Sequence, residues 1–297
     1  MKRKLILWCT AFLFMGMPSL FAQSLQPFYK VGEFNKSVTQ VSQDVTQLLN
    51  ANGFDIIGTY HPENNDQMLV ICFTSNKLKT LSLEFPDRGA LGSVLKASVI
   101  MQNGKSTLSI LNPEYMFMAY WGKQLKGQEN QLSALSESVK NTFAKMGTLQ
   151  PFGGSVNKED LPGYHYKIFM PYFTDPDELA TFGSFEEGLS VIRKNLTDHK
   201  MNTQLVYEQV FPDQKIAVFG VGLMDPSTGE SHFLPIIGES HIAALPYQLI
   251  LQGNKATALP GKYRIALFWP ELGMGTFMKI MKTPGQIKDM LQSVTEK

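Results

Sequence analysis

The sequence contains few cysteines and no excess of charge of either sign. Only Cys9 and Cys72 occur in 297 residues, and 27 basic residues nearly balance 26 acidic ones, giving a formal net charge of +1. Two cysteines are too few for a disulfide framework, and their spacing excludes a Cys-x-x-Cys redox pair. The balanced charge indicates neither a nucleic-acid partner nor an anionic-membrane partner.

Established catalytic motifs are also missing. The chain has no phosphate loop and no zinc-protease helix, and Gly220-x-Gly222 and Gly273-x-Gly275 lack the third glycine of a dinucleotide motif. The sequence therefore identifies no reaction and no cofactor, and it favours a protein without catalytic activity.

The N-terminus has the pattern of a secretory signal peptide. Three basic residues at positions 2–4 precede an apolar run from Leu5 to Met15, which Gly16 and Pro18 end before the small residue Ala22. This pattern predicts a signal peptide over residues 1–22, with cleavage after Ala22 and a periplasmic or secreted bacterial protein. An uncleaved anchor is the alternative, although the run is short of the roughly 20 apolar residues of a membrane span. Cleavage would remove three basic residues, leaving 24 against 26 acidic ones and a net charge of −2.

One hairpin pattern occurs twice, 150 residues apart. Residues 94–108 and 244–258 share a leucine, an isoleucine, a glutamine, a lysine and a threonine without a gap between them. Asn103-Gly104 and Gly253-Asn254 separate the apolar runs, and both pairs tolerate the positive φ of a two-residue turn. A repeat this long predicts a duplicated domain, not a solenoid.

Apolar periodicity predicts the same order in both copies: strand, helix, about four strands, helix. The predicted strands are 28–34, 54–60, 68–74, the two hairpin strands and 115–121 in the first copy, and 164–173, 204–211, 215–223, the two hairpin strands and 263–269 in the second. Residues 174–183 are interpreted as an insertion. The fold class is therefore α+β with antiparallel sheets, and the domains are 24–146 and 164–297, joined by a linker over 147–163.

Short turn motifs resemble domain-of-unknown-function family 302, a group of small bacterial domains. The first copy has Asn76, Asn103-Gly104 and Asn112-Pro113, with Lys77 and Lys96 where the family usually has proline. The second copy has Asp225-Pro226 and Leu245-Pro246 and lacks the last motif. The resemblance implies a fold like that of the TATA-binding protein, and, because members are thought to dimerise, an intramolecular pseudo-dimer of the two copies. It implies no activity.

Glu-Ser-His occurs twice, nine residues apart, within residues 229–241. Glu230, His232, Glu239 and His241 are therefore candidate ligand-binding residues, and imidazoles with carboxylates can bind a divalent metal. Solvated loop residues or helix caps are the alternative interpretation, because Pro235 opposes one continuous helix. We expect no catalytic residue and no bound metal, but a metal-dependent, hydrolase-like enzyme centred on this pair stays open.

Aromatic residues supply the other candidates. Trp121 and Trp269 close the two strands that we expect to meet between the copies, and both are assigned to ligand binding there. Alternate tyrosines over residues 164–173 could line a cleft or form core. Cys72, between apolar neighbours on a strand, is predicted to be structural. The favoured function is a non-enzymatic binding or interaction module with its cleft between the copies, whose partner is a small molecule or an envelope protein.

Overall fold

The computed structural model describes residues 23–167 and 170–297. The predicted signal peptide over residues 1–22 lies outside the described residues, and so do residues 168 and 169 of the strand predicted over 164–173. The described chain is mixed α+β with antiparallel sheets, as the sequence predicts. None of the helices in these described ranges has the length and apolar character needed to cross a bilayer.

The first half of the chain forms a six-stranded antiparallel sheet in the order β3-β4-β5-β6-β2-β7. After a short strand β1 (Ser24–Leu25), its strands are β2 (Phe28–Phe34), β3 (Asp55–Tyr60), β4 (Met68–Thr74), β5 (Leu95–Gln102), β6 (Lys105–Leu111) and β7 (Gln150–Phe152). The predicted hairpin turn is confirmed, because Asn103 and Gly104 have φ of 52° and 77°. Strand β8 (Val156–Asn157) in the linker region pairs with β1.

Four helices accompany this sheet. They are α1 (Val38–Ala51), α2 (Asn76–Ser82), α3 (Pro113–Trp121) and α4 (Glu129–Phe143). Helix α1 begins at a capping box of Ser37 and Gln40 and packs against strands β3 to β6. Both α1 and α4 turn an apolar face toward the core, since Val41, Val45 and Val139 are buried.

The second half has a five-stranded sheet in the order β10-β11-β12-β13-β9. Its strands are β9 (Asp177–Thr181), β10 (Thr203–Phe211), β11 (Ile216–Leu223), β12 (Tyr247–Gln252) and β13 (Lys255–Ala258), and its helices are α5 (Phe185–Thr197), α6 (Glu230–Ile237), α7 (Gly261–Phe268), α8 (Met274–Lys279) and α9 (Thr283–Ser293). If β9 to β13 are matched in order to β2 to β6, the two sheets have the same strand order, and the first sheet has the additional edge strand β7.

Two predicted strands are helices. Residues 115–121 lie in α3 and residues 263–269 in or just after α7. Both segments are buried nearly all round, so their apolar residues lack the 3.6-residue period of a half-exposed helix. For α3 a helix start was nevertheless present in the sequence: the Asn112 side chain accepts from the backbone N–H groups of Glu114 and Tyr115, and Pro113 occupies the first turn.

The first strand of the second half was also misplaced. Of the segment 164–173, the described residues form no strand, whereas the supposed insertion contains β9, which pairs with β13. Two of the alternating tyrosines, Tyr164 and Tyr166, pack against α7 and the segment that follows it instead of pairing with a neighbouring strand. Tyr164 donates a hydrogen bond to the carbonyl oxygen of Ala266 at 2.6 Å, and Tyr166 donates to that of Leu272 at 3.4 Å.

The two halves contact each other through equivalent elements. The turn Gly89–Ser93, which precedes β5, packs against β11 and β12, while the turn Glu239–Ala244, which precedes β12, packs against β5 and β6. Six consecutive residues of β5, 95–100, are buried, so both faces of this strand are covered.

Candidate functional site

A group of buried polar side chains lies where the halves meet. Cys72 and Lys96 are directly opposite each other on β4 and β5, and they are 0% and 2% exposed. Burial, followed by the positive charge of Arg264 in α7, lowers the pKa of the Lys96 amine to about 7. Burial raises the pKa of the Cys72 thiol to about 12, and the nearby lysine only partly opposes this shift. Cys72 is thus a buried, un-ionised thiol, whereas a reactive cysteine is partly exposed and ionises readily.

The second half supplies the rest of this group. The Arg264 guanidinium, 2% exposed, donates to the carbonyl oxygens of Ala244 and Pro246 and lies 4.6 Å from the centre of the Tyr247 ring. Gln248 donates from Nε2 to the Leu91 carbonyl oxygen at 3.0 Å. The Gln248 bond joins strand β12 of the second half to the turn Gly89–Ser93 of the first half, whereas the Arg264 bonds stay within the second half.

Glu230, the first predicted ligand residue, is fully buried at the start of α6. Its Oε1 accepts hydrogen bonds from the Tyr60 hydroxyl at 3.2 Å and the Leu223 backbone N–H at 3.1 Å. Burial raises the pKa of Glu230 to about 8, although both hydrogen bonds act to lower it. At neutral pH the carboxyl group is therefore largely protonated, and it joins the first half to the second without facing solvent.

His241 and Trp269 do come together. Their rings stack with centroids 5.4 Å apart, and His241 also packs against Phe28 of the first half at 4.9 Å. The two ring nitrogens of His241 face acceptors, Nδ1 the Phe268 carbonyl oxygen at 2.8 Å and Nε2 the Glu271 carboxylate at 3.0 Å. Burial would raise the pKa of Glu271, but the hydrogen bond and charge of His241 outweigh burial and lower it.

The remaining predicted residues are apart from this pair. His232 is exposed, Glu239 is half-buried, and Trp121 is fully buried between the rings of Phe85 and Phe117 at 4.6 Å each. Within residues 23–167 and 170–297, no three His, Cys, Asp or Glu side chains form a group that could hold a metal ion. The four predicted residues of the Glu-Ser-His pair are thus a buried carboxyl, an exposed imidazole, a half-buried carboxylate and a buried imidazole that contacts Glu271.

An apolar cleft of about 190 Å³ opens beside Trp269. It lies between helix α7, helix α8 and the segment that precedes β9, and its walls are formed by Tyr166, Lys167, Met170, Ile265, Ala266, Trp269, Leu272, Met274 and Phe277. Lys167 is exposed, and its amine lies 5.1 Å from the centre of the Tyr166 ring. Among the residues that the structure describes, no acidic side chain lines this cleft, so it can take an apolar group and place a negative charge near Lys167.

Two other cavities are less suited to a small ligand. A space of about 30 Å³ between the halves, near Tyr120 and Phe173, has room for about one water molecule. A groove of about 630 Å³ near Asn52 and Asn76 is polar and wide open, so it would leave most of a small ligand in water.

Sequence reasoning missed several residues of these sites. Lys96 and Arg264 are the basic residues of the buried polar group, and Lys96 was noted only as a departure from a proline pattern. Glu271, the partner of His241, is 30 residues away in sequence and has no motif. The cleft walls at Lys167 and Phe277 come from segments whose pairing depends on α7 being a helix, so no local signal could have identified them.

The comparisons with known proteins are sparse. No family model matches the chain, and no curated protein matches it. One similar solved structure is the crystal structure of an uncharacterized conserved protein, DUF302, from Bacillus stearothermophilus, with 12% sequence identity and a TM-score of 0.33. The similarity covers 40% of this chain and 94% of that one. A likeness at this identity and TM-score carries no argument about family or function.

Proposed function

We propose that this protein is an exported bacterial envelope protein that binds a small apolar molecule in the cleft beside Trp269 and catalyses no reaction. The observation that carries the proposal is the cleft itself, an apolar space bounded by an indole, a phenyl ring and thioethers, with one exposed amine. Concave apolar sites with few polar groups are typical of small-molecule binding. A ligand with an aromatic or aliphatic body and one anionic group would match both features.

We also propose that the two halves are a tandem pair of domains of the 302 family type, packed as an intramolecular pseudo-dimer. The repeated strand order and the equivalent contacts between halves support this. The sequence-based hypothesis put the ligand between the halves, whereas the proposed cleft lies beside the junction, within the second half. Its wall residue Trp269 stacks on His241, which contacts Phe28 of the first half. The two Glu-Ser-His motifs make no contact with each other that would favour the metal-dependent enzyme.

The experiment uses 1-anilinonaphthalene-8-sulfonate, an aromatic anion that fluoresces in apolar surroundings, as the probe. We expect saturable binding by the native protein, weakened at least tenfold in Ala266→Phe, which fills the cleft from α7, and less strongly in Lys167→Ser. Met201→Ala is the control, because Met201 is 49% exposed elsewhere on the surface. Equal binding by native protein and Ala266→Phe, with unchanged circular dichroism in the variant, would contradict the proposal.

A further inference from the structure

Large apolar side chains are concentrated on one exposed segment next to the cleft. Of the five large apolar side chains that are exposed among the described residues, three lie within eight positions: Met274 at 49%, Met278 at 57% and Met281 at 57%. Helix α8 buries none of its residues, whereas the following helix α9 buries six. Met274 and Met278 are four positions apart, so they lie on the same side of α8.

The charges on this segment all have the same sign. Residues 272–285 include Lys279 and Lys282, both exposed, and contain no aspartate or glutamate. A third exposed cation, Lys167, lines the cleft together with Met274. A chain with little net charge thus carries a local surface that is both apolar and basic.

We propose that this surface, formed by Met274, Met278, Met281, Lys279 and Lys282 and called here the methionine–lysine face, docks on an anionic lipid bilayer. Flexible thioether side chains can enter the boundary between headgroups and acyl chains, and the lysines can contact the lipid phosphates. Exposed methionines alone, or exposed lysines alone, could serve another role. Exposed apolar groups alternating with unopposed cations complement an anionic bilayer. Because Met274 also lines the cleft, docking would bring the cleft close to the lipid.

Other binding partners of the methionine–lysine face would have different requirements. A protein partner or a second copy of the chain would bind through the same methionines without needing anionic lipid. A soft metal ion would need the thioether sulfurs themselves and would not accept leucine. These differences allow one set of variants to separate the three.

The experiment is co-sedimentation of the full-length exported protein with vesicles of phosphatidylcholine, with and without phosphatidylglycerol. We expect binding only to the phosphatidylglycerol vesicles, weakening as salt is added. Met278→Gln with Met281→Gln should reduce the bound fraction about tenfold because apolar contact is lost. Lys279→Ser with Lys282→Ser should reduce it by a similar factor of about ten.

Two matched variants keep the outcome decisive. Met278→Leu with Met281→Leu preserves apolar area and should bind vesicles like the native protein, and Met201→Gln removes an exposed methionine elsewhere and should have no effect. Ala266→Phe should also leave vesicle binding intact, so failure of the cleft and failure of the face are distinguishable. Equal sedimentation with both vesicle types, loss of binding in the leucine variant, or concentration-dependent dimerisation through this face without lipid would each overturn the proposal.

Discussion

At the scale of single residues, Lys96 is the side chain most at odds with its surroundings. It lies within residues 95–100 of β5, where the other side chains are apolar or small, and the equivalent position in the second hairpin is Pro246. No acidic side chain is among the groups that shift the pKa of its amine. A buried amine without a carboxylate partner destabilises the folded state as long as it carries a proton.

The first prediction concerns Lys96→Met, which removes this amine and keeps a side chain of similar length. The pKa of Lys96 is about 7 in the folded protein against 10.5 for an unperturbed lysine, so between these values the unfolded chain holds a proton that the folded chain lacks. The contribution of this lysine to stability is complete above its pKa in the unfolded chain. It is lost as the pH falls to its pKa in the folded protein. The variant should thus be more stable near neutral pH, and its advantage should shrink by about 1.4 kcal/mol per pH unit as the pH rises.

Urea unfolding of both proteins at a series of pH values measures this difference. Glu230 titrates in both proteins, so its effect largely cancels when the two are compared. Lys77→Met is the control, since Lys77 is exposed and should give a difference that does not depend on pH. A Lys96→Met difference that is equally flat would show that an acceptor holds the amine charged.

At the scale of elements, the sequence predicted those whose pattern is local. The turn at Asn103-Gly104 and the strands 28–34 and 68–74 are each determined by neighbours within a few residues, and all are found. Helices α3 and α7 were missed because burial on every side removes their periodicity. The cleft was missed with them, because its walls depend on α7 being a helix, and the alternating tyrosines near Tyr164 mimic a strand while packing on that helix.

The second prediction concerns the tyrosines that link α3 and α7 in both directions. Tyr115 donates to the Leu267 carbonyl oxygen at 2.6 Å, and Tyr263, like Tyr115 the third residue of its helix, donates to the Ala119 carbonyl oxygen at 3.4 Å. Replacing either tyrosine by phenylalanine removes one buried hydrogen bond. Tyr115→Phe should cost about 1 kcal/mol of unfolding free energy, and Tyr263→Phe should cost less because its bond is long.

Chemical denaturation of both single variants and the double variant checks this order. Tyr172→Phe serves as the control, since within the described ranges the Tyr172 hydroxyl has no hydrogen-bond partner in the helices of either half. Equal losses in the two variants, or none, would mean that the reciprocal bonds do not hold α3 against α7.

At the scale of the whole molecule, the halves are joined by close backbone approach as well as by side chains. The Tyr60–Glu230 bond, the Gln248–Leu91 bond and the stack of His241 on Phe28 all cross between them. Independent domains on a linker would have no such buried polar contacts, because each would leave unpaired groups when the halves part.

The last prediction uses the point where the two sheets meet edge to edge. Strand β3 has an irregularity between Ile56 and Gly58, strand β10 has one between Leu205 and Tyr207, and a Cβ added at Gly58 would overlap the carbonyl oxygen of Val206. Because Gly58 has no φ in the left-handed region, alanine there strains only the contact between the halves.

Gly58→Ala should therefore cost about 1–3 kcal/mol of unfolding free energy. It should also speed proteolytic cleavage within residues 147–163, the predicted linker. Gly273→Ala is the matched control, because a Cβ there meets nothing within 4 Å. If Gly58→Ala were as stable and as protease-resistant as Gly273→Ala, the edges of the two sheets would not be in contact in solution, and the pseudo-dimer would have to be abandoned.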